Sequence, residues 1–202
     1  LGYGALDAGS TEVDDNVAIG HNAMGGAIGT EAVNDCVAIG SGALSGALDS
    51  TNGIDKASGT VAIGKSALAA LTSGARNTAV GYISSLAVTT GADNTSLGYY
   101  SLQELVDGSQ NTAIGAYALG SMGTGTTGDG SSHNTTLGYN SGGGNWADQD
   151  CSNIVAIGSQ ALAGALAGDG ADGSVAVGKS ALTALTSGAG NTAVGFESQA
   201  TA

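Results

Sequence analysis

Few side chains in this sequence are placed to do chemistry. His21 and His133 stand far apart, and no Ser, Cys or carboxylate is spaced to serve either one as nucleophile or base. The carboxylate pairs Asp14 with Asp15 and Asp148 with Asp150 carry the oxygen ligands that Ca²⁺ prefers. Neither pair sits in a calcium-loop pattern, so both read as a solvated acidic surface. Cys36 and Cys151 are the two cysteines, and each reads as a small buried hydrophobe. No catalytic residue, metal site or cofactor is expected, and the chain reads as a non-enzyme.

Surface contact is the remaining chemistry, and insertions into a regular pattern are where it would sit. The two largest insertions span residues 48–60, with Asp49, Asp55 and Lys56, and 121–134, with Asp129 and His133. A third stretch, residues 142–153, holds the single Trp. Trp146 beside Asp148, Gln149 and Asp150 has the aromatic-plus-polar dress of a sugar or protein contact. The competing expectation is that Trp146 covers a coil weakened at Gly142.

The pattern that these stretches interrupt runs through the whole chain. Residues 179–195, KSALTALTSGAGNTAVG, repeat 15 of 17 positions of residues 65–81, KSALAALTSGARNTAVG. An aliphatic residue followed by Gly recurs at Gly2, Gly20, Gly40, Gly64, Gly81, Gly98, Gly115, Gly138, Gly158, Gly178 and Gly195, never less than 17 residues apart. A fixed minimum with variable excess marks stacked units joined by tolerant loops. Ahead of each Gly, from Gly20 onward, Val or Thr, a small residue and Ile, Val or Leu alternate, which predicts a short strand. Three residues after the Gly stands Ala or Ser, and in most coils Leu or Met follows.

These observations predict an all-β parallel β-roll, or β-solenoid, with two short strands in each coil of about 17 residues. It is one array over residues 1–202 of ten to eleven coils. The anchor glycines turn the chain from one wall to the other. Ladders of Ile, Val or Leu and of Leu are expected inside. A face of Ala, Ser and Gly is expected to admit another copy of the chain, because so small a core leaves a single roll poorly stabilised. Ser85, Gly142 and Gln199 replace the usual Leu, so register or packing is expected to change near residues 82–86 and 139–144. Thr78, Thr95, Thr112, Thr135 and Thr192 stand where other coils have Val. Regular Thr on a solenoid can order water as ice-binding proteins do, but these read as a half-buried strand face interrupted by Val.

Composition removes other classes. A net charge of −13 repels phosphate backbones and argues against nucleic acid. No apolar run approaches the length of a membrane span, and no signal-peptide pattern is present. Six coils at about 4.8 Å separate the cysteines by roughly 29 Å, too far for a disulfide. Leu1 falls inside an anchor motif and Ala202 follows one closely, so the chain reads as a piece of a longer fibre polypeptide.

The VAIGxxAL units at residues 37–44, 61–68 and 155–162, and VAVGKSAL at 175–182, resemble the head repeats of trimeric autotransporter adhesins of the YadA type. The longer LTSGxxNTAVGY form at residues 71–82, and its variant at 185–196, resembles repeats of bacteriophage tail fibres. The resemblance implies a left-handed roll and a homotrimer of parallel chains around a common axis. It implies an extracellular setting, on a virion tail fibre or a bacterial surface, and a cell-surface protein or glycan as receptor. The 17-residue floor is longer than adhesin-head coils and favours the phage fibre in host attachment. An adhesin head is the alternative, and a passive extracellular filament is a further one.

Overall fold

A computed structural model describes residues 2–6, 14–26, 33–48, 57–120, 130–144, 146, 151–166 and 170–200. Ten three-residue strands lie among them: β1 (Val17–Ile19), β2 (Val37–Ile39), β3 (Val61–Ile63), β4 (Thr78–Val80), β5 (Thr95–Leu97), β6 (Thr112–Ile114), β7 (Thr135–Leu137), β8 (Val155–Ile157), β9 (Val175–Val177) and β10 (Thr192–Val194). They pair in parallel and in chain order to form one ten-stranded sheet. The chain is therefore an all-β parallel β-solenoid, and its anchor spacing is its coil spacing. No helix occurs among the described residues, so none there is long and apolar enough to cross a membrane.

The second wall has a geometry of its own. Each anchor carbonyl accepts the N–H of the residue three further on, as in Ala43 to Gly40 at 3.2 Å and Ala161 to Gly158 at 3.2 Å. The residues two and four beyond the Gly then take left-handed φ values, such as 57° at Ser66 and 51° at Leu68. This zigzag of turns carries its own coil-to-coil ladder. Leu44 donates its N–H to Ala67 O at 2.9 Å, Leu102 to Ala118 O at 3.0 Å and Leu162 to Ala181 O at 2.8 Å. The expected second strand is thus a hydrogen-bonded column of turns, because alternate left-handed residues cannot lie in a pleat.

The orientation of the strands reverses the expectation of inward Ile, Val and Leu. In β2 to β10 the central small residue is buried, whereas the two flanking residues of every strand are half-buried or exposed. Alternation specifies two faces without saying which one points inward. Volume decides here. Met24, Leu44, Leu68, Leu102, Leu119, Leu162 and Leu182, from the turn wall, fill the lumen at 0 to 1% exposure. Only Ala, Ser or Thr fits opposite them, so the β-branched residues face out. Thr78, Thr95, Thr112, Thr135 and Thr192 share that outer face. Interruption by Val, and not burial, is what breaks their row.

A column of asparagines holds the corner before β4 to β7 and has no counterpart in the sequence reading. Asn77, Asn94, Asn111 and Asn134 are all buried. Asn77 Oδ1 accepts the N–H of Asn94 at 2.9 Å, Asn94 Oδ1 that of Asn111 at 3.0 Å, and Asn111 Oδ1 that of Asn134 at 3.0 Å. Their Nδ2 groups donate to the neighbouring coil's corner carbonyls, Gly91 at 2.8 Å, Gly108 at 2.9 Å and Ser131 at 2.9 Å. Each amide therefore ties its own coil to the next through both of its ends. Asn111→Ala is expected to leave the buried Asn134 N–H without its acceptor and to destabilise by about 1 to 3 kcal/mol. Chemical denaturation of the variant beside the parent checks it.

At the two places of expected slippage the register continues without a break: Thr78 faces Thr95, Thr112 faces Thr135 and Thr135 faces Val155. Packing changes instead. Ser85 replaces a lumen Leu and meets Ser96, which replaces a strand Ala, with Oγ to Oγ at 2.7 Å. Ser84 reaches Ser96 at 2.6 Å and Ser101 at 3.0 Å, so the hydroxyls satisfy one another inside the roll.

Candidate contact surface

The residue after each anchor Gly lies on the outer edge where the strand turns into the second wall. In successive coils this position holds Lys65, Tyr82, Tyr99, Ala116 and Tyr139, and the next position adds Tyr100 and Tyr117. Parallel stacking of coils places these rings in contact. Tyr82 stacks on Tyr99 with centroids 5.5 Å apart, and Tyr100 on Tyr117 at 5.6 Å. Tyr99 and Tyr100 tilt together at 4.4 Å, and Tyr139 meets Tyr117 edge-on at 6.1 Å. The Lys65 ammonium lies 5.7 Å from the Tyr82 centroid and closes one end of the row.

The same edge carries a Tyr3–His21 stack at one end of the solenoid and Lys179 over Phe196 at the other. The row has no role in filling the lumen, which the buried leucines occupy. Tyr82, Tyr99, Tyr117 and Tyr139 remain 37 to 55% exposed. The signal was present in the sequence as Tyr after Gly, but only the stacking of coils brings five phenols together.

The Tyr99 phenol is pushed up to about 12, although nearly half of the residue is open to solvent. Desolvation among its neighbours leads, and the hydroxyl and charge of Tyr117 follow. Both folded and unfolded chains hold this proton below the usual phenol value of about 10. Between about 10 and about 12 the unfolded chain loses it first, so the stability it contributes falls as pH rises through that window. Absorbance titration of phenolate is expected to show a group ionising near the top of the window, absent in Tyr99→Ser.

Trp146 is fully buried and is not a surface contact. It stands eight residues after its anchor Gly, as Leu48 and Leu166 do, and those two are also buried. A Cβ on Gly142 would lie 2.9 Å from the Thr136 methyl, 3.1 Å from Leu119 and 3.5 Å from the indole. The ring therefore takes up the room left by the missing Leu. Among the described residues nothing accepts its indole N–H.

His133 is exposed at the corner before β7, with φ of 62° and its N–H donated to Ser109 O at 3.1 Å. His21 is on the aromatic edge. Asp49, Asp55, Lys56, Asp129, Asp148, Gln149 and Asp150 lie outside the described residues. Among the described residues no group of three His, Cys, Asp or Glu side chains is arranged to hold a metal. Both cysteines are buried, and no disulfide joins them. The Cys36 thiol donates to Ala57 O at 3.1 Å, and burial pushes its pKa up.

Acidic groups mark the opposite corner. Asp15, Asp35 and Asp93 stand two residues before their strands, and Arg76 pairs with Asp93 through two contacts of 2.7 and 2.9 Å. This guanidinium holds the Asp93 carboxyl below the usual range. Both partners are exposed, so the pair contributes little to stability. The outer surface is thus divided into an acidic corner, a β-branched sheet face and an aromatic edge.

No protein-family model, no curated protein and no solved structure matches this chain.

Proposed function

We propose that the chain is a segment of a homotrimeric extracellular fibre, a bacteriophage tail-fibre shaft or receptor-contacting part used in host attachment. The observation that carries this reading is the open sheet face. Ile19, Ile39, Ile63, Val80, Leu97, Ile114, Leu137, Ile157, Val177 and Val194 form an unbroken outward aliphatic column over all ten strands. At the inter-strand spacing it extends about 43 Å. A long apolar strip on a monomer marks a surface to be covered.

Burying the remaining area of each of these side chains contributes roughly 1 kcal/mol. Summed along the rod, that is of the order of the association cost, about 4 to 15 kcal/mol. Like copies repel through their net charge of −13, so contact belongs on the uncharged sheet face, away from the acidic corner. This replaces the Ala, Ser and Gly face expected from sequence, which lines the lumen. Three parallel rods meeting along such strips would form a stiff shaft, and loops or edges repeated on three sides would bind a surface with avidity.

Light scattering across dilution and salt tests the reading. A mass of three chains, more persistent at high salt, supports it. A stable monomer overturns it, and polymers that grow with concentration favour the filament alternative.

A further inference from the structure

We infer that the row formed by Tyr82, Tyr99, Tyr100, Tyr117 and Tyr139 binds a linear, uncharged glycan laid along the rod axis. The inference rests on reading the rod as a surface-contacting fibre, and it names the ligand class and the place.

The ligand's chemistry follows from what the row presents. Every member carries a hydroxyl that can donate and accept, on a ring that offers apolar carbon. Sugars present the same two features, hydroxyls around the ring and C–H groups on its faces. From Lys65 to Asn140 the two edge positions of each coil contain no carboxylate, and Lys65 is their one charged group. On a chain of net charge −13 this window carries no carboxylate, while the negative charge of the rest of the chain disfavours a polyanionic ligand.

The ligand's shape follows from the periodicity. The aromatic row advances one coil at a time over four consecutive coils, each about one strand spacing of 4.8 Å from the next. A row that repeats along the rod fits a periodic polymer, which the surface of a globular protein does not offer; a second copy of this chain would meet the aliphatic column instead. Stacking has already fixed the ring positions, so little side-chain entropy is lost on binding.

The solenoid itself supplies a substitution that leaves the fold alone. Ser41 and Ser159 occupy the first edge position in other coils, and Ser66 and Ser180 the second. A variant carrying Tyr99→Ser, Tyr100→Ser and Tyr117→Ser is therefore compared with the parent and with Tyr3→Ser, which lies outside the row. The probes are soluble linear β-1,4-glucan, β-1,3-glucan, α-mannan and a neutral O-polysaccharide freed of lipid, each cast in a native gel. Mobility in the gel is read, and mass by light scattering is measured on the same samples.

Retardation of the parent and of Tyr3→Ser by at least one probe is expected, with the triple variant losing at least tenfold in apparent affinity at unchanged mass. Three results overturn the inference: no retardation by any probe, retardation that the triple variant keeps, or a fall in mass of the triple variant, which would make the row a contact between copies. A parent that binds none of the probes yet keeps the mass of three chains sinks the glycan row alone. A monomeric parent sinks the fibre reading.

Discussion

Trp146→Ala is expected to destabilise the rod by about 3 to 5 kcal/mol, because a fully buried indole is removed beside a residue that has no side chain of its own. In other coils the lumen is filled from two places. Leu162 and Leu166, both buried, are one such pair. In the Trp146 coil the first place is Gly142, so truncation empties both at once, and the neighbours Thr136 and Leu119 cannot close the gap without moving strands that are in register above and below.

Trp146→Phe separates packing from polar effects. The indole N–H has no partner among the described residues, so the loss of that donor costs nothing. The remaining volume change is expected to cost under about 1.5 kcal/mol. Thermal melts of the two variants check the pair. A cost for Phe close to that for Ala would show that the polar end of the ring matters. Receptor adsorption, measured below the melting temperature, is expected to be unaffected in both, since the ring never reaches the surface.

Gly138→Ala is expected to cost about 3 to 5 kcal/mol, from strain at φ of 136° and from a collision with the next coil. A Cβ there would lie 2.7 Å from both the carbonyl carbon and oxygen of Gly158. That carbonyl belongs to the backbone of the adjacent anchor and cannot swing aside without breaking the hydrogen bond it accepts from the Ala161 N–H, at 3.2 Å. Gly173 is the internal comparison. Its φ is 65°, but nothing lies within 4 Å of the place where its Cβ would be.

Gly173→Ala is accordingly expected to cost only the conformational part, about 1 to 3 kcal/mol. The difference between the two variants, read from denaturant midpoints with unchanged slopes, measures how closely the coils approach. Equal costs would mean that the anchors are glycines for their dihedral angle alone. A larger cost at Gly138 means that the anchors are glycines chiefly because they stack on one another.

The repeat was legible in the residues before any coordinates, since an anchor Gly with an alternating triplet ahead of it leaves few structures open. Parallel pairing in chain order followed from near-identical units, because identical coils stack best in register. The turn residues were also legible as anchors, though sequence spacing showed only that Gly was needed, and the approach of Gly158 to Gly138 shows why. Trp146 illustrates the limit. Its position eight after an anchor matched Leu48 and Leu166, yet its rarity and acidic neighbours pointed outward. The missing Leu at Gly142 was the better guide, since an empty place in a close-packed lumen must be filled.

By itself, then, the sequence determined the unit and its repetition: where each coil turns, which three residues make its strand, and that the coils stack in parallel as a solenoid. These are properties of local pattern, of period and of glycine's dihedral range. Only the tertiary structure decided which side of the strand faces the lumen, because that depends on the width left by the leucines of the opposite wall, a distance no single coil contains. It also decided that asparagines 17 or more residues apart form one buried ladder, and that tyrosines from four coils form one exposed row. Both arise between coils, where residues distant in the chain are brought to about one strand spacing apart.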